Sequence, residues 1–523
     1  MKNGHEGNRL SWGDSLFLYL EREGMPLNIA SVGIFEGQIS LEECTRFIES
    51  KLPLLPRYYQ RVVTPPLNIG FPSWEDDPEF DIRNHIREVR LKRGTEAELK
   101  ALAGKILSVV MDRQRPLWDF TMVSGLKGDR SAVVKRVHHC LADGIAGVGL
   151  MSALLDDGSE AQPEIKKKPR RQSRKGHDPL TSLLDGLLGA YSDVVQHVLT
   201  AQSYVAGVGE RIAGGGDWSS EELSQLLPEL TAPTERLFFN VTYQGPQKFA
   251  WIKLPLDEIK AIREKCGGTH NDIVLTLVTA TMRRYVQSHG DQVKGRTLRM
   301  MVPVSVREQE GAEELGNRIS LLPVTIPLEI RNPRKLLDAV VERTTFLKRT
   351  HIAEMVGLAG GLLGVTPAPV QAFVGPMASL LPVTPFNLVC TNVRGPEFPL
   401  FLMGHKMIDW YPYVPVGGEM ALNCATLSYN GAAYFGFSGD VHAAPDLNRL
   451  EGLLEMSFRE LQQGAGIRPP RMKKVSRRKR APKAVELKPP VPAPIPIHPP
   501  IQPETAQKPA EREVSFSVPV AAD

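Results

Sequence analysis

The chain has 523 residues, 42% of them hydrophobic, and a formal net charge of +4. That length exceeds what one hydrophobic core usually fills and predicts two. The charge is concentrated: residues 468 to 488 carry ten Lys or Arg against one Glu, and residues 164 to 178 carry seven against Glu164 and Asp178, so the rest is mildly acidic and argues against a specific nucleic-acid partner.

The first fifteen residues, MKNGHEGNRLSWGDS, lack the apolar core of a secretion signal. ASVGIFEG (30–37) predicts a strand, and ISLEECTRFIES a helix with Cys44 and Ile48 on its apolar face. TEAELKALAGKILSVV (95–110) predicts a helix with Thr95 and Glu98 at capping-box spacing and Leu99, Leu102, Ile106 and Val110 as its stripe. LWDFTMVSGL (117–126) and SAVVKRVHH (131–139) read as strands around the turn KGDR. Residues 8 to about 160 thus form one α/β unit. Residues 161–235 read as a basic linker followed by a helical crossover, too long for a bare loop.

A second α/β unit spans 236–465. TLRMMVPVSVR (297–307) and SLLPVTIPLEI (320–330) predict strands, residues 332 to 355 a long helix, and residues 421 to 440 a hairpin turning at Asn430-Gly431. From Met355 to Val393 there is no Lys, Arg, Asp or Glu. Pro367, Pro369, Pro376, Pro382 and Pro385 interrupt that stretch, which favours a buried or interface-seeking lobe over a membrane span. The 466–523 tail has the composition of a disordered basic, Pro-rich segment. Five scattered cysteines with no CxxC point to a reducing compartment.

The densest chemistry is VVKRVHHCLADGIAGVGL, residues 133 to 150. A strand runs into His138 and His139, and Ile145, Val148, Met151 and Leu154 then suit a helix. Strand alternation sends the two imidazoles to opposite faces. Asp143 is placed to cap that helix, and Gly144 permits close backbone approach. Adjacent strand histidines without a third ligand nearby suit a metal poorly. Cys140 lacks an acyl-enzyme signature. The residues alone leave open a hydrogen-bonded structural pair and a neutral imidazole base. Asn271 and Asp272 in THNDIVLTLV (269–278) likewise read either as helix capping from Thr269 or as an amide at a helix start facing developing negative charge.

HHCLADG (138–144) resembles the HHxxxDG motif of the bacterial-type wax ester synthase/diacylglycerol acyltransferase family, within the CoA-dependent acyltransferase superfamily. Further segments resemble that family in order: LSWGDSLFLYLE (10–21) with Asp14 and Phe17, FPSWEDDPEFDIRNHIREVRL (71–91), RPLWDF (115–120) with Pro116 and Trp118, THNDIVLTLV, LGNRIS (315–320) and TNVRGP (391–396). Arg394 stands where the family has a proline, and Trp12-Gly13 where Ser-Pro is common. The resemblance spans roughly residues 8 to 463 and implies an α/β fold of two chloramphenicol-acetyltransferase-like domains with mixed sheets and an active-site tunnel between them.

It further implies acyl transfer from acyl-CoA to a long-chain alcohol or diacylglycerol, giving wax ester or triacylglycerol, with no cofactor. His139 is then the general base, His138 supports it, Asp143 holds the loop, Asn271 faces the thioester, Asp272 is structural and Trp118 packs the site wall. A different hydroxyl acceptor, or a catalytically idle relative that binds lipid or protein, remains the alternative. Cytoplasmic placement with peripheral attachment to a membrane or lipid droplet is expected from the lipid substrates, the uncharged lobe and the basic segments.

Overall fold

The computed structural model describes residues 8–142, 144–158, 234–305, 319–350, 352, 368–378 and 385–467. The expected basic linker and helical crossover, the tail, Asp143 and most of LGNRIS lie outside the described residues.

The first half opens with α1 (Trp12–Leu20), capped by Ser11, followed by β1 (Asn28–Glu36), α2 (Leu41–Lys51), β2 (Gln60–Val63), β3 (Ser73–Asp76) and β4 (Ile86–Arg90). Then come α3 (Glu96–Leu107), β5 (Trp118–Leu126), β6 (Arg130–His138) and α4 (Gly144–Leu154). Thr95 caps α3 as its spacing predicts, but Glu98 turns outward and accepts from the Lys92, Arg93 and Gly94 amides.

The second half holds β7 (Gln247–Pro255), α5 (Leu256–Cys266), α6 (His270–Ser288), β8 (Thr297–Ser305), β9 (Ile319–Pro327), α7 (Pro333–Arg349), α8 (Ala368–Ala378) and β10 (Leu388–Arg394). It ends with β11 (Phe401–Leu402), β12 (His405–Tyr413), β13 (Leu422–Tyr429), β14 (Ala432–Asp440) and α9 (Arg449–Gly464). The β13–β14 hairpin turns at Asn430 and Gly431, both at positive φ (43° and 83°), as a two-residue hairpin loop requires.

Among the described residues the strands form two six-stranded mixed sheets, ordered β11-β12-β1-β6-β5-β4 and β7-β14-β13-β10-β8-β9, and a separate β2–β3 pair. Residues 401–413, which the sequence assigns to the second unit, join the first sheet, with β12 antiparallel to β1 and β11 antiparallel to β12 at the edge. This exchange welds the halves together. Phe249, Trp251, Leu427, Tyr429 and Tyr434 join the first core, while a second core gathers around Val278, Leu337 and Phe437. A Cβ on Gly436 would lie 1.9 Å from the Pro412 carbonyl oxygen, so only glycine lets β14 approach β12 this closely. Lys100 of α3 reaches across to the Glu451 carboxylate at 2.9 Å and the Trp251 carbonyl at 3.2 Å.

Of the uncharged lobe, α8 and β10 lie within the described residues. β10 is an inner strand, parallel to both β8 and β13. Among the described residues no helix is long and apolar enough to cross a membrane.

Candidate active site

β6 carries the histidine pair to the junction with α4. Valines at 133, 134 and 137 are buried, so the strand is held on both faces and its end is fixed. His138 is 0% exposed. Its Nδ1 accepts from the Cys140 amide at 3.1 Å, which leaves the ring proton on Nε2. Nε2 faces Glu21 Oε1 at 3.3 Å, close enough for electrostatic pairing but too poorly aligned for a full hydrogen bond.

Glu21, just past the end of α1, is the anchor. Its carboxylate also accepts from the Leu27 amide at 2.9 Å and from Arg113 at 3.0 Å. Burial pushes the carboxyl up, but the His138 contact, the Leu27 amide and Arg113 outweigh it and hold it below the usual carboxylate range. Sequence reasoning passed over both Glu21 and Arg113. The available signal was helical spacing: Asp14, Phe17 and Glu21 recur at intervals of three and four in LSWGDSLFLYLE.

His139 points the other way. Its backbone amide donates to the Leu27 carbonyl at 3.0 Å, and its ring stacks on Phe17 with centroids 3.8 Å apart and planes 9° from parallel. Phe17 therefore fixes the plane of the imidazole without taking a ring nitrogen. Burial pulls the pKa of His139 down to about 4, so the ring is neutral at pH 7.

The ring lines a cavity of about 130 Å³ between the two sheets. One wall comes from β1, β6 and β12, including Ile29, Ser31, Lys135 and Trp410, and the other from β8, β10 and β13, including Val304, Asn392 and Leu427.

Asn271 does not line that cavity; it stands one layer behind. Its Oδ1 accepts from Asn392 Nδ2 at 3.1 Å, and Asn392 Oδ1 accepts from the Thr426 hydroxyl at 3.1 Å. Asn392, in TNVRGP, is thus the amide at the wall. Asp272 completes a capping box with Thr269, at 2.7 Å to its amide and 3.2 Å from its own amide to the Thr269 hydroxyl, and also accepts from Thr344 at 2.7 Å.

The other motif residues stand further off. Trp118 is buried in the first core, stacked on His85 at 4.3 Å and donating to the Tyr58 carbonyl at 2.8 Å. It backs the strand next to His138 rather than facing the cavity. The Pro116 carbonyl accepts from the Trp118 amide at 2.9 Å, and Gly144 opens α4. Cys140 is buried and its thiol is pushed well above its ordinary pKa by burial, which suits a thiol and not a thiolate nucleophile.

Two mixed six-stranded sheets with a cavity between them define the fold class: α/β, of the two-domain condensation-domain and chloramphenicol-acetyltransferase-like type. The fold is similar to that of the wax ester synthase/diacylglycerol acyltransferase from Marinobacter aquaeolei VT8, with a TM-score of 0.60 and 22% identity over 88% of this chain and 100% of that one. It is also similar to the first condensation domain of the calcium-dependent antibiotic synthetase, with a TM-score of 0.54 and 14% identity over 88% of this chain and 97% of that one.

The wax ester synthase/diacylglycerol acyltransferase catalytic domain matches residues 10–274 and the C-terminal domain of the same family matches residues 315–462, so the chain belongs to this family and is an acyltransferase. The Mycobacterium tuberculosis protein named "Probable diacyglycerol O-acyltransferase tgs1" is 28% identical over 481 residues, 91% of this chain and 99% of its own length. The one named "Probable diacyglycerol O-acyltransferase tgs2", from the same species, is 27% identical over 470 residues, 87% of this chain and 98% of its own length.

Proposed function

We propose that the protein transfers a long-chain acyl group from acyl-CoA directly to the hydroxyl of a long-chain alcohol or diacylglycerol. The observation that carries this reading is the position of His139, a neutral base at the wall of a cavity shared by both sheets. An imidazole nitrogen takes the hydroxyl proton as the oxygen attacks the thioester carbonyl. The tetrahedral intermediate collapses, the C–S bond breaks, and the proton passes from His139 to the CoA sulfur. The products are free CoA and a wax ester or triacylglycerol. The thioester brings its own leaving group, so acyl-CoA serves as substrate and the reaction calls for no resident cofactor.

Asn392 is placed to donate its amide toward the developing oxyanion, and Asn271 is the positioning residue that holds it. His138 holds the turn. Trp118 stiffens the strand behind it. The lipid substrates call for work at a membrane or droplet surface, and α8 supports this: it carries no charge and exposes Val370, Phe373 and Val374. Flotation with liposomes tests that attachment; equal recovery of the protein with and without lipid would remove it.

The decisive assay follows CoA release from palmitoyl-CoA with hexadecanol and with dioleoylglycerol. Wild type releases CoA with at least one acceptor, and H139A loses about 10²–10⁴-fold. A folded H139A that kept more than about a tenth of the rate would overturn the assignment.

A further inference from the structure

Two residues that line the cavity carry hydrogen-bond donors that the transfer reaction leaves unused. Lys135 lies on β6 four residues before His139, on the same face of the strand. It is 3% exposed and lines the cavity, and its contact among the described residues is a long 3.4 Å donation to the Gly147 carbonyl. Among the described residues no carboxylate lines that space. Burial pulls the amine down to about 7.

Trp410 enters from β12 with its indole N–H buried and without an acceptor. Strand register puts the two side chains on one face of the sheet, flanking β1: Lys135 pairs opposite Ser31 and Trp410 opposite Gly33, two residues along β1. Ser31 lines the cavity in the row of Lys135. Around them the wall is apolar, with Ile29, Val137, Val148 and Leu427.

Buried donors are costly without acceptors. A saturated chain would leave these unsatisfied. An uncharged carbonyl oxygen would satisfy them whether the amine is protonated or not, because both forms carry N–H. Four strand residues separate the Cα atoms of Lys135 and His139 by roughly 13 Å, a span that the long lysine side chain partly closes. The acceptor oxygen therefore belongs to a group deeper in the substrate than the hydroxyl that reacts at His139. An acylglycerol carries ester carbonyls a few bonds from its free hydroxyl, whereas a simple long-chain alcohol has only methylenes there.

We propose that Lys135 and Trp410 form a carbonyl-binding subsite that takes an ester group of an acylglycerol acceptor and so favours diacylglycerol over an unsubstituted alcohol. The subsite rests on the transfer reaction proposed above and specifies its acceptor.

The test measures kcat/KM of the full-length enzyme for dioleoylglycerol and for hexadecanol, with palmitoyl-CoA as donor, in wild type, Lys135→Met and Trp410→Phe. The diacylglycerol-to-alcohol ratio falls about tenfold or more in K135M and severalfold in W410F, mostly through KM for the acylglycerol. Methionine fills similar space without a buried amine, so K135M melts no lower than wild type. An unchanged ratio in both variants would overturn the subsite. So would a raised KM for palmitoyl-CoA with the ratio intact, which would assign the donors to the amides of the pantetheine arm. A wild-type enzyme inactive on both acceptors would sink the transfer reaction itself, and the subsite with it.

Discussion

The β6–α4 junction and the start of α6 are built alike and used differently. Each hands the chain into a helix, and each carries adjacent polar residues of which one is structural. At the first, His138 is held by Glu21 and the Cys140 amide while His139 faces the cavity. At the second, Asp272 closes the capping box, and Asn271 reaches the cavity through Asn392. A motif residue can thus face the cavity or support one that does, and the identity of the partner decides which.

That contrast predicts a graded series. H139A loses the most, about 10²–10⁴-fold, because the base is gone. Asn392→Ala comes next, at about 10²–10³-fold in kcat, the usual cost of losing an oxyanion donor. Asn271→Ala loses about tenfold, less than N392A, because it acts through Asn392; equal losses would place Asn271 at the reacting atoms after all.

Glu21→Gln should lower both rate and Tm. It keeps an acceptor for Leu27 but weakens the hold on His138 and Arg113, at about 1–3 kcal/mol of stability by chemical denaturation. An unchanged midpoint with a large rate loss would mean that Glu21 acts on the proton rather than on the turn. Cys140→Ala is the smallest: near-wild-type turnover, with no acyl label on the protein. Labelled acyl trapped on Cys140 would replace direct transfer with a covalent intermediate.

The local half of this architecture was legible. Alternation in VVKRVHH sent the histidines to opposite faces, and Thr269–Asp272 spacing marked a helix start that the structure builds in full. Asn430-Gly431 marked the hairpin turn. What escaped were partners distant in sequence. Glu21 meets His138 across more than a hundred residues, and Asn392 meets Asn271 across 121. Nothing in residues 401–413 announces that β12 will pair with β1, since strand alternation carries no record of the partner strand. Lys135 and Arg136 show the same limit. Both are charged residues in a buried strand, yet Arg136 pairs with Asp119 at 3.0 Å while Lys135 faces the cavity, a distinction made by the neighbouring strands.

The measurement that bears most directly on His139 as the base is kcat/KM for hexadecanol against pH. A base whose pKa is depressed by burial keeps its working form until the pH falls well below the ordinary histidine value of about 6.5. The rate should therefore hold from neutral pH down past 5 and show an acid limb with an apparent pKa of about 4, with full activity recovered on return to pH 7. An acid limb near 6.5 would contradict a buried imidazole at the reacting atoms.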